Sequence, residues 1–267
     1  METIVFVGAG SMAEAILAGL VNQQVLPAEK IFVMNKADEA RLKQLHTKYG
    51  VSIVCPERKI LTEADLVILA TKPHDITKAM ADIAHLLKPN CAALSVIAGT
   101  PIAKLEEGLG KRPIARSMPN TSATIGLSAT GVAFNTAVDE TLQKTFIQLL
   151  GSIGLVEVVE EEDLHAVTAL SGSGPAYIYY LVEALEAAAV KEGLSKELAR
   201  ALILQTLTGA TEMMKQTQLE PDVLRENVTS PNGTTAAGLQ SLYDGNFKEL
   251  IHQCIESAKN RSQQLSQ

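Results

Sequence analysis

Tryptophan is missing from the 267 residues and aromatic side chains amount to only 4%, so alanine and leucine must fill whatever core the chain builds. Cysteine is scarce. Cys55, Cys91 and Cys254 are odd in number, far apart and in no ligand-like spacing, which reads as reduced thiols in a cytoplasmic protein. Positive charge is in deficit, and a net charge of −7 argues against nucleic acid as the main partner. Long apolar runs are missing too. "IVFVGAGSMAEAILAGLV" has no basic start, carries Glu14 and is cut by Gly8 and Gly10, and the alanine-rich run after Pro175 carries Glu183 and Glu186. Neither is a signal or membrane span. His74, His85 and His252 lack partners at metal-ligand spacing, so no metal is expected. His165 reads as a helix-surface or interface residue, "EVVEEED" as a solvated charged turn, and Met213-Met214 as core or subunit interface.

What remains, 46% apolar and 20% charged residues, is enough to bury a full core. The first 160 residues alternate β-branched runs with helical patterns. "TIVFVG" from Thr3, "KIFVMN" from Lys30, "VSIV" from Val51, "LVILAT" from Leu66 and "AALSVIAG" from Ala92 read as strands. Continuous apolar strands separated by helices imply a parallel sheet covered on both faces. "RPIARSMPN" and "GLSATGVAFN" add two strands, a helix follows from Asp139 to Leu150, and then comes "GLVEVVE". The right-handed crossover rule makes a Rossmann-type doubly wound sheet the economical arrangement. Beyond Glu160–Asp163 no strand is convincing. Pro175 suits a first helical turn, Gly193 a helix end and Ser195 an N-cap, with later helices at 222–227, 235–242 and 247–265. The fold expected is α/β, a dinucleotide-binding domain over 1–160 followed by an all-helical domain over 161–267. So much apolar helix surface in so few residues points to burial against a second subunit.

Gly8-Ala9-Gly10-Ser11-Met12-Ala13 fits G-x-G-x-x-A at the first strand–helix junction. Gly8 permits the tight turn, Gly10 lets the backbone approach a pyrophosphate, and the helix N-terminus offers N–H groups to phosphate. Asn35 and Lys36 then stand where an NAD site would carry an acidic residue. A neutral hydrogen-bonder beside a cation suits a 2′-phosphate and favours NADP(H), while Asp38 nearby counts against it. "ATKP", Ala70-Thr71-Lys72-Pro73, ends the fourth strand, at the edge that borders a ligand crevice in a parallel sheet; a plain turn is the other reading.

Two breaks interrupt the helical half: "LSGSGPAY" from Leu170 and "TSPNGTTAAGL" from Thr229. Each alone reads as a capped helix start. Following a dinucleotide motif, they read as ligand-binding turns without catalytic side chains, because the cofactor carries the chemistry.

GAGSMA, ATKP, "SVIAG", "MPNT", "TALSGSGPAY" and "SPNGTTAAGL" together resemble, in order and spacing, the pyrroline-5-carboxylate reductase family, along essentially the whole chain. The resemblance implies an NADPH-dependent reduction of the cyclic imine 1-pyrroline-5-carboxylate to L-proline, the last step of proline biosynthesis. It implies a Rossmann domain joined to a helical domain that forms homodimers, often within rings of dimers, with substrate bound where the two kinds of domain meet in the dimer. Cofactor contacts would come from Gly8, Ala9, Gly10, Ser11, Met12, Asn35, Lys36, Ala70, Thr71, Lys72, Pro73, Ala98, Gly99 and Asn120. Substrate contacts would come from Ser171, Ser173, Ser230, Asn232, Gly233, Thr234 and Thr235. Thr235 would offer its hydroxyl to the ring nitrogen, and the backbone N–H groups near Gly233 would grip the carboxylate. Three positions depart from the family pattern. Ser122 replaces a proline, Asn232 a glycine, and Glu57 an asparagine near the adenosine end of the cofactor. Asparagine tolerates left-handed backbone geometry, so the turn at 232 survives the exchange.

Competing readings are another two-domain NADP-dependent imine or hydroxyacid reductase, a nucleotide-binding regulator without turnover, and a methyltransferase using the glycine loop. Hydroxyacid enzymes of this type place a catalytic lysine in the helical domain, but Lys191 and Lys196 flank a helix end instead. A regulator would be expected to lose the Ser/Thr-Gly elements around Thr235, which are present. A methyltransferase leaves the helical domain and both breaks unexplained.

Overall fold

The computed structural model describes residues 2–54 and 58–266, so Cys55 and Glu57 lie outside the described residues. In chain order the elements are β1 (Ile4–Val7), α1 (Ser11–Asn22), β2 (Ile31–Met34), α2 (Glu39–Tyr49), β3 (Ser52–Ile53), β4 (Leu66–Leu69), α3 (Ile76–Ile83), β5 (Ala92–Ser95) and α4 (Ile102–Leu109). Next come β6 (Ile114–Met118), β7 (Ser128–Phe134), α5 (Glu140–Gly151), β8 (Gly154–Val158) and α6 (Leu164–Val167). The remainder is helical: α7 (Gly174–Lys191), α8 (Lys196–Thr217), α9 (Pro221–Asn227), α10 (Thr234–Asp244) and α11 (Phe247–Gln264). The chain divides into two compact units. One holds the residues up to Pro175 and those from Ser257 on, and the other holds Ala176–Glu256.

The first unit is built on an eight-stranded sheet of order β3-β2-β1-β4-β5-β6-β7-β8. β1 pairs with both β2 and β4, in parallel, so the chain winds away from it in both directions and leaves a crevice beyond the carboxyl ends of β1 and β4. Side chains alternate across a strand. Ile4 and Phe6 therefore join a core with Ile16, Leu17 and Leu20 of α1, Leu45 of α2 and Phe146 of α5. Val5 and Val7 join a second core with Ile76 and Met80 of α3, Leu105 of α4 and Leu164 of α6. Both faces of the central strands are dry, which is why they read as unbroken apolar runs. One pairing departs from the parallel pattern: β6 and β7 are antiparallel. The link between them holds only the 3-10 turn Thr121–Ile125, too short for the crossover that a parallel pair needs.

The helices of the second unit are long yet scarcely buried. The 18 residues of α7 bury only Glu186, the 22 of α8 bury only Ala199, and α9 and α10 bury none. Arg200 of α8 makes a two-pronged ion pair with Glu186 of α7, at 2.5 and 3.0 Å. On the same two helices Ile178, Tyr179, Tyr180, Leu198 and Leu202 stand 48–74% exposed. Met213 and Met214 are 52% and 40% exposed, so they are not core of this chain. Apolar helical surface on this scale requires a covering partner. No helix among the described residues is long and apolar enough to cross a membrane. Cys91 and Cys254 are free, and burial pushes the Cys91 thiol up to about 11.

Candidate active site

The glycine loop sits at the point where the strand order reverses. Gly8 follows β1 with φ +116°, and a Cβ added there would collide with the backbone of Ala70, which ends β4. Only glycine accepts that φ and that proximity together. Its N–H donates to the Met34 carbonyl at 2.9 Å, closing the β1–β2 edge. Gly10 has φ −74° and ψ −176°, and it starts α1 without any side-chain cap. A Cβ at Gly10 would meet nothing within 4 Å. The first N–H groups of α1, from Ser11 and Met12, have no side-chain cap, an arrangement suited to phosphate. Ala9 and Ala13 are buried beneath the loop.

Ala70, Thr71, Lys72 and Pro73 follow β4 directly beside that loop. Thr71 Oγ1 is buried with no hydrogen-bond partner among the described residues. A buried hydroxyl without a partner is rare in a finished structure, and one at this crevice fits a ligand that supplies the missing bond. Lys72 is exposed and leads into a short turn through Pro73. Past β5, Ala98 is exposed and Gly99 has φ +73°.

At the other end of the crevice a groove of about 340 Å³ is lined by Met34, Asn35, Lys36, Glu39, Lys43 and Arg58, with Ile53 and Val54 at its floor. Asn35 and Asp38 close a small turn on each other: Asn35 Nδ2 donates to the Asp38 carbonyl at 2.8 Å and Asp38 N–H to Asn35 Oδ1 at 3.1 Å. The Asp38 carboxylate accepts from Arg41 N–H at 2.9 Å and caps α2. Its charge is therefore directed at a helix N-terminus, and the objection it raises against an anion site loses force. Lys36 is 73% exposed and held only loosely, 3.5 Å from Asp75. Among the described residues that line the groove, three are cationic and one, Glu39, is a carboxylate, a balance that favours an anion. Lys43 and Arg58 were not among the residues expected there, because nothing local in the sequence brings them to Lys36.

A second missed feature supports the loop from behind. Arg41 Nε donates to the Ala9 carbonyl at 2.9 Å and its guanidinium pairs with Glu14. Lys48 and the Tyr49 hydroxyl also reach Glu14, at 2.9 and 2.8 Å. Lys48 first, then Arg41 and Tyr49, hold the Glu14 carboxyl down at about 2.

The "EVVEEED" turn needs correction. Glu161 is not simply solvated: its Oε1 accepts from Arg116 at 2.8 Å and from the Ile102 N–H at 2.7 Å, and Arg116 is 5% exposed. Sequence patterning misassigned it because a buried cation on β6 claims this carboxylate across 45 positions. His165 Nδ1 lies 3.0 Å from Ser262 Oγ. Burial, then the Arg116 charge, keep this imidazole below its ordinary pKa, and Glu161 opposes them.

Of the two breaks, the first forms a π-helical turn over Thr168–Gly172, a widened turn that recurs at functional sites. Ser171 Oγ donates to the Val167 carbonyl at 3.0 Å, and Ser173 N–H to the Thr168 carbonyl at 2.8 Å. Asn120 Nδ2 donates to the Ser171 carbonyl at 3.0 Å while its Oδ1 accepts from Ser122 N–H, so the amide of Asn120 joins the two motifs. Gly172 lies against Met118, where a Cβ would come within 2.8 Å of its methyl carbon. Ser122 fits where the family pattern has proline because its N–H makes the bond to Asn120.

The second break, in the other unit, is a tight turn ahead of α10. Asn232 adopts φ +60°, and Gly233 N–H donates to the Ser230 carbonyl at 3.0 Å. Gly233 is the N-cap residue, with no side-chain cap, and a Cβ there would strike Ser230. Thr234 and Thr235 are exposed in the first turn. This end of an eleven-residue helix presents uncapped N–H groups beside two hydroxyls.

Comparison with known proteins agrees along the whole chain. The family model described as "Pyrroline-5-carboxylate reductase dimerisation" matches residues 161–265, and that described as "NADP oxidoreductase coenzyme F420-dependent" matches residues 3–99. Pyrroline-5-carboxylate reductase 1 of Bacillus spizizenii is 42% identical over 266 residues, 99% of this chain and 90% of that protein. A pyrroline-5-carboxylate reductase structure from Coxiella burnetii matches with TM-score 0.93 at 36% identity, covering 100% of this chain and 99% of that one. The Plasmodium falciparum pyrroline carboxylate reductase, solved with NADP bound, matches with TM-score 0.89 at 30% identity, covering 100% and 98%.

Proposed function

The chain belongs to the pyrroline-5-carboxylate reductase family, and on that premise we propose that it reduces 1-pyrroline-5-carboxylate to L-proline in the cytoplasm, as a homodimer or larger assembly, with NADPH preferred over NADH. Residues 1–160 carry the cofactor, and residues 161–267 carry the dimerisation and substrate elements. The observation that carries the substrate assignment is the uncapped N-terminus of α10 behind the left-handed Asn232. Its N–H groups and the positive end of the helix hold a carboxylate without a lysine. The Thr235 hydroxyl hydrogen-bonds the ring nitrogen, which takes a proton from solvent as hydride addition to carbon turns the C=N bond into C–N. When bound, NADPH supplies the hydride to the imine carbon. The chain's own part is to admit the pyrophosphate at Gly10, satisfy Thr71 and hold the 2′-phosphate among Lys36, Lys43 and Arg58. The unpartnered Thr71 oxygen and the excess of cations in the groove support this reading. So do the exposed apolar faces of α7 and α8 for self-association.

The test is consumption of NADPH with 1-pyrroline-5-carboxylate by wild type, Thr235→Ala and Thr235→Ser. Wild type turns over, the alanine variant loses about 100-fold in kcat, as removal of a proton-handling group does, and serine restores most of it. Tight NADPH binding with no turnover in wild type would sink the assignment.

A further inference from the structure

We infer that the C-terminal turn of α11 is a positioning element for the loop after β5: Ser262, through His165, and the backbone of Leu265 hold Gly99 and Ala98 in place for the cofactor. The inference rests on the proposed function only in naming what the loop contacts. Loop 96–101 is tied at both ends by bonds inside its own unit. Val96 N–H donates to the Leu69 carbonyl at 3.1 Å, and Ile102 N–H donates to Glu161 at 2.7 Å. The apex meets a more distant stretch of the same unit. Gly99 stands at φ +73°, and a Cβ there would lie 2.9 Å from the Leu265 carbonyl oxygen and 3.5 Å from the Leu265 Cβ. The tail backbone therefore lies directly against the glycine, and the close approach explains the residue type as much as φ does.

The tail is itself fastened. Ser262 is 7% exposed and its Oγ meets His165 Nδ1 at 3.0 Å. Ser266 Oγ donates to the Ser262 carbonyl at 3.1 Å, one helical turn back. A neutral His165 makes this bond without adding a second cation beside Arg116. The contact buries little, since Leu265 remains 59% exposed, so its removal bears on the loop far more than on the stability of the unit. The residues from Ser257 on belong with the sheet, although α11 begins at Phe247 in the helical unit.

The experiment compares the full chain with a variant ending at Gln264 and with Ser262→Ala. Hydrogen exchange of the 96–101 amides, NADPH affinity by fluorescence titration, and steady-state kinetics are measured on each. The inference expects the 96–101 amides to exchange about 10-fold faster in the shortened chain and the NADPH Kd to rise about 10-fold. The KM for 1-pyrroline-5-carboxylate, the melting midpoint and the oligomeric state stay put, and kcat recovers at saturating NADPH, a split that loss of structure would not produce. Ser262→Ala moves both quantities in the same direction by less. Unchanged exchange at 96–101 overturns the brace, and faster exchange with unchanged NADPH affinity overturns its role for the cofactor. If wild type binds no NADPH, the proposed function and the cofactor role fall together, and the exchange arm still decides whether the tail holds the loop.

Discussion

Replacing Gly8 and Gly10 one at a time by alanine separates the two duties of the glycine loop. At Gly8 the substitution meets φ +116°, and the new Cβ would sit 2.5 Å from the Ala70 carbonyl carbon and 2.8 Å from the Thr71 nitrogen. Backbone strain of about 1–3 kcal/mol adds to overpacking between β1 and β4 of about 1–3 kcal/mol. A loss near 4 kcal/mol lowers the melting midpoint by about 10 °C at 2–4 °C per kcal/mol for a unit of this size. At Gly10 the backbone is in ordinary extended geometry and the added carbon touches nothing. The fold then loses only about 0.5 kcal/mol from a poorer N-cap. The methyl group instead occupies the approach of the pyrophosphate, and the NADPH Kd rises about 30-fold, roughly 2 kcal/mol. Thermal melts with fluorescence titration of NADPH read both quantities. A Gly10→Ala variant that binds NADPH like wild type refutes the placement of the cofactor. A Gly8→Ala variant that melts with wild type refutes the packing of Gly8 on Ala70.

Two further outcomes follow from charge and from surface. Glu14 has its carboxyl lowered from 4.5 to about 2, so its stabilisation is complete above pH 4.5 and is lost as pH falls towards 2. After discounting for the exposed Lys48, wild type should lose about 1–2 kcal/mol over that window, and Glu14→Gln should be less stable at neutral pH and lack this part of the acid sensitivity; chemical denaturation at pH 7, 4 and 3 checks it. Tyr180, 74% exposed on α7, should bear on self-association, and Tyr180→Asp should shift the chain towards monomer by light scattering while far-UV dichroism stays helical; an unchanged mass would place the subunit contact elsewhere.

The features legible in the sequence are those fixed by neighbours in the chain. Gly8 and Gly10 follow an apolar strand and precede an apolar helix, and both the strand and the helix form. Ser195 accepts from Leu198 N–H at 3.2 Å and caps α8, and Asn232 takes the left-handed turn assigned to it. The features that were not legible join distant parts of the chain. Glu161 and Ile102 are 59 positions apart, and His165 and Ser262 are 97 apart. Arg58 and Lys43 become groove residues only once β2 and β3 lie side by side. No periodicity or spacing encodes such pairs, so a carboxylate in an acidic run was read as solvated when a buried arginine had claimed it. The antiparallel β6–β7 pair is an intermediate case, since the short link stands in the sequence but sets strand direction only once both strands pair in one sheet.

At the proposed substrate end of the site, charged side chains stand apart from the ligand for a physical reason. Three of the chain's ion pairs serve as scaffolding: Arg41 with Glu14 behind the glycine loop, Arg116 with Glu161 under the β5 loop, and Arg200 with Glu186 between α7 and α8. The proposed ligand contacts come instead from backbone N–H groups at Gly10 and α10 and from the hydroxyls of Thr71 and Thr235, with lysine and arginine kept for the far phosphate groove. A lysine at the substrate carboxylate would place a second mobile cation beside an imine whose nitrogen must itself gain a proton, and would oppose it. A helix N-terminus attracts the carboxylate through fixed dipoles, needs no reorganisation when charge shifts, and leaves the ring nitrogen to a neutral hydroxyl. On the proposed function, the glycines and the left-handed asparagine follow from the same reasoning, because backbone can touch a ligand only where side chains stand aside.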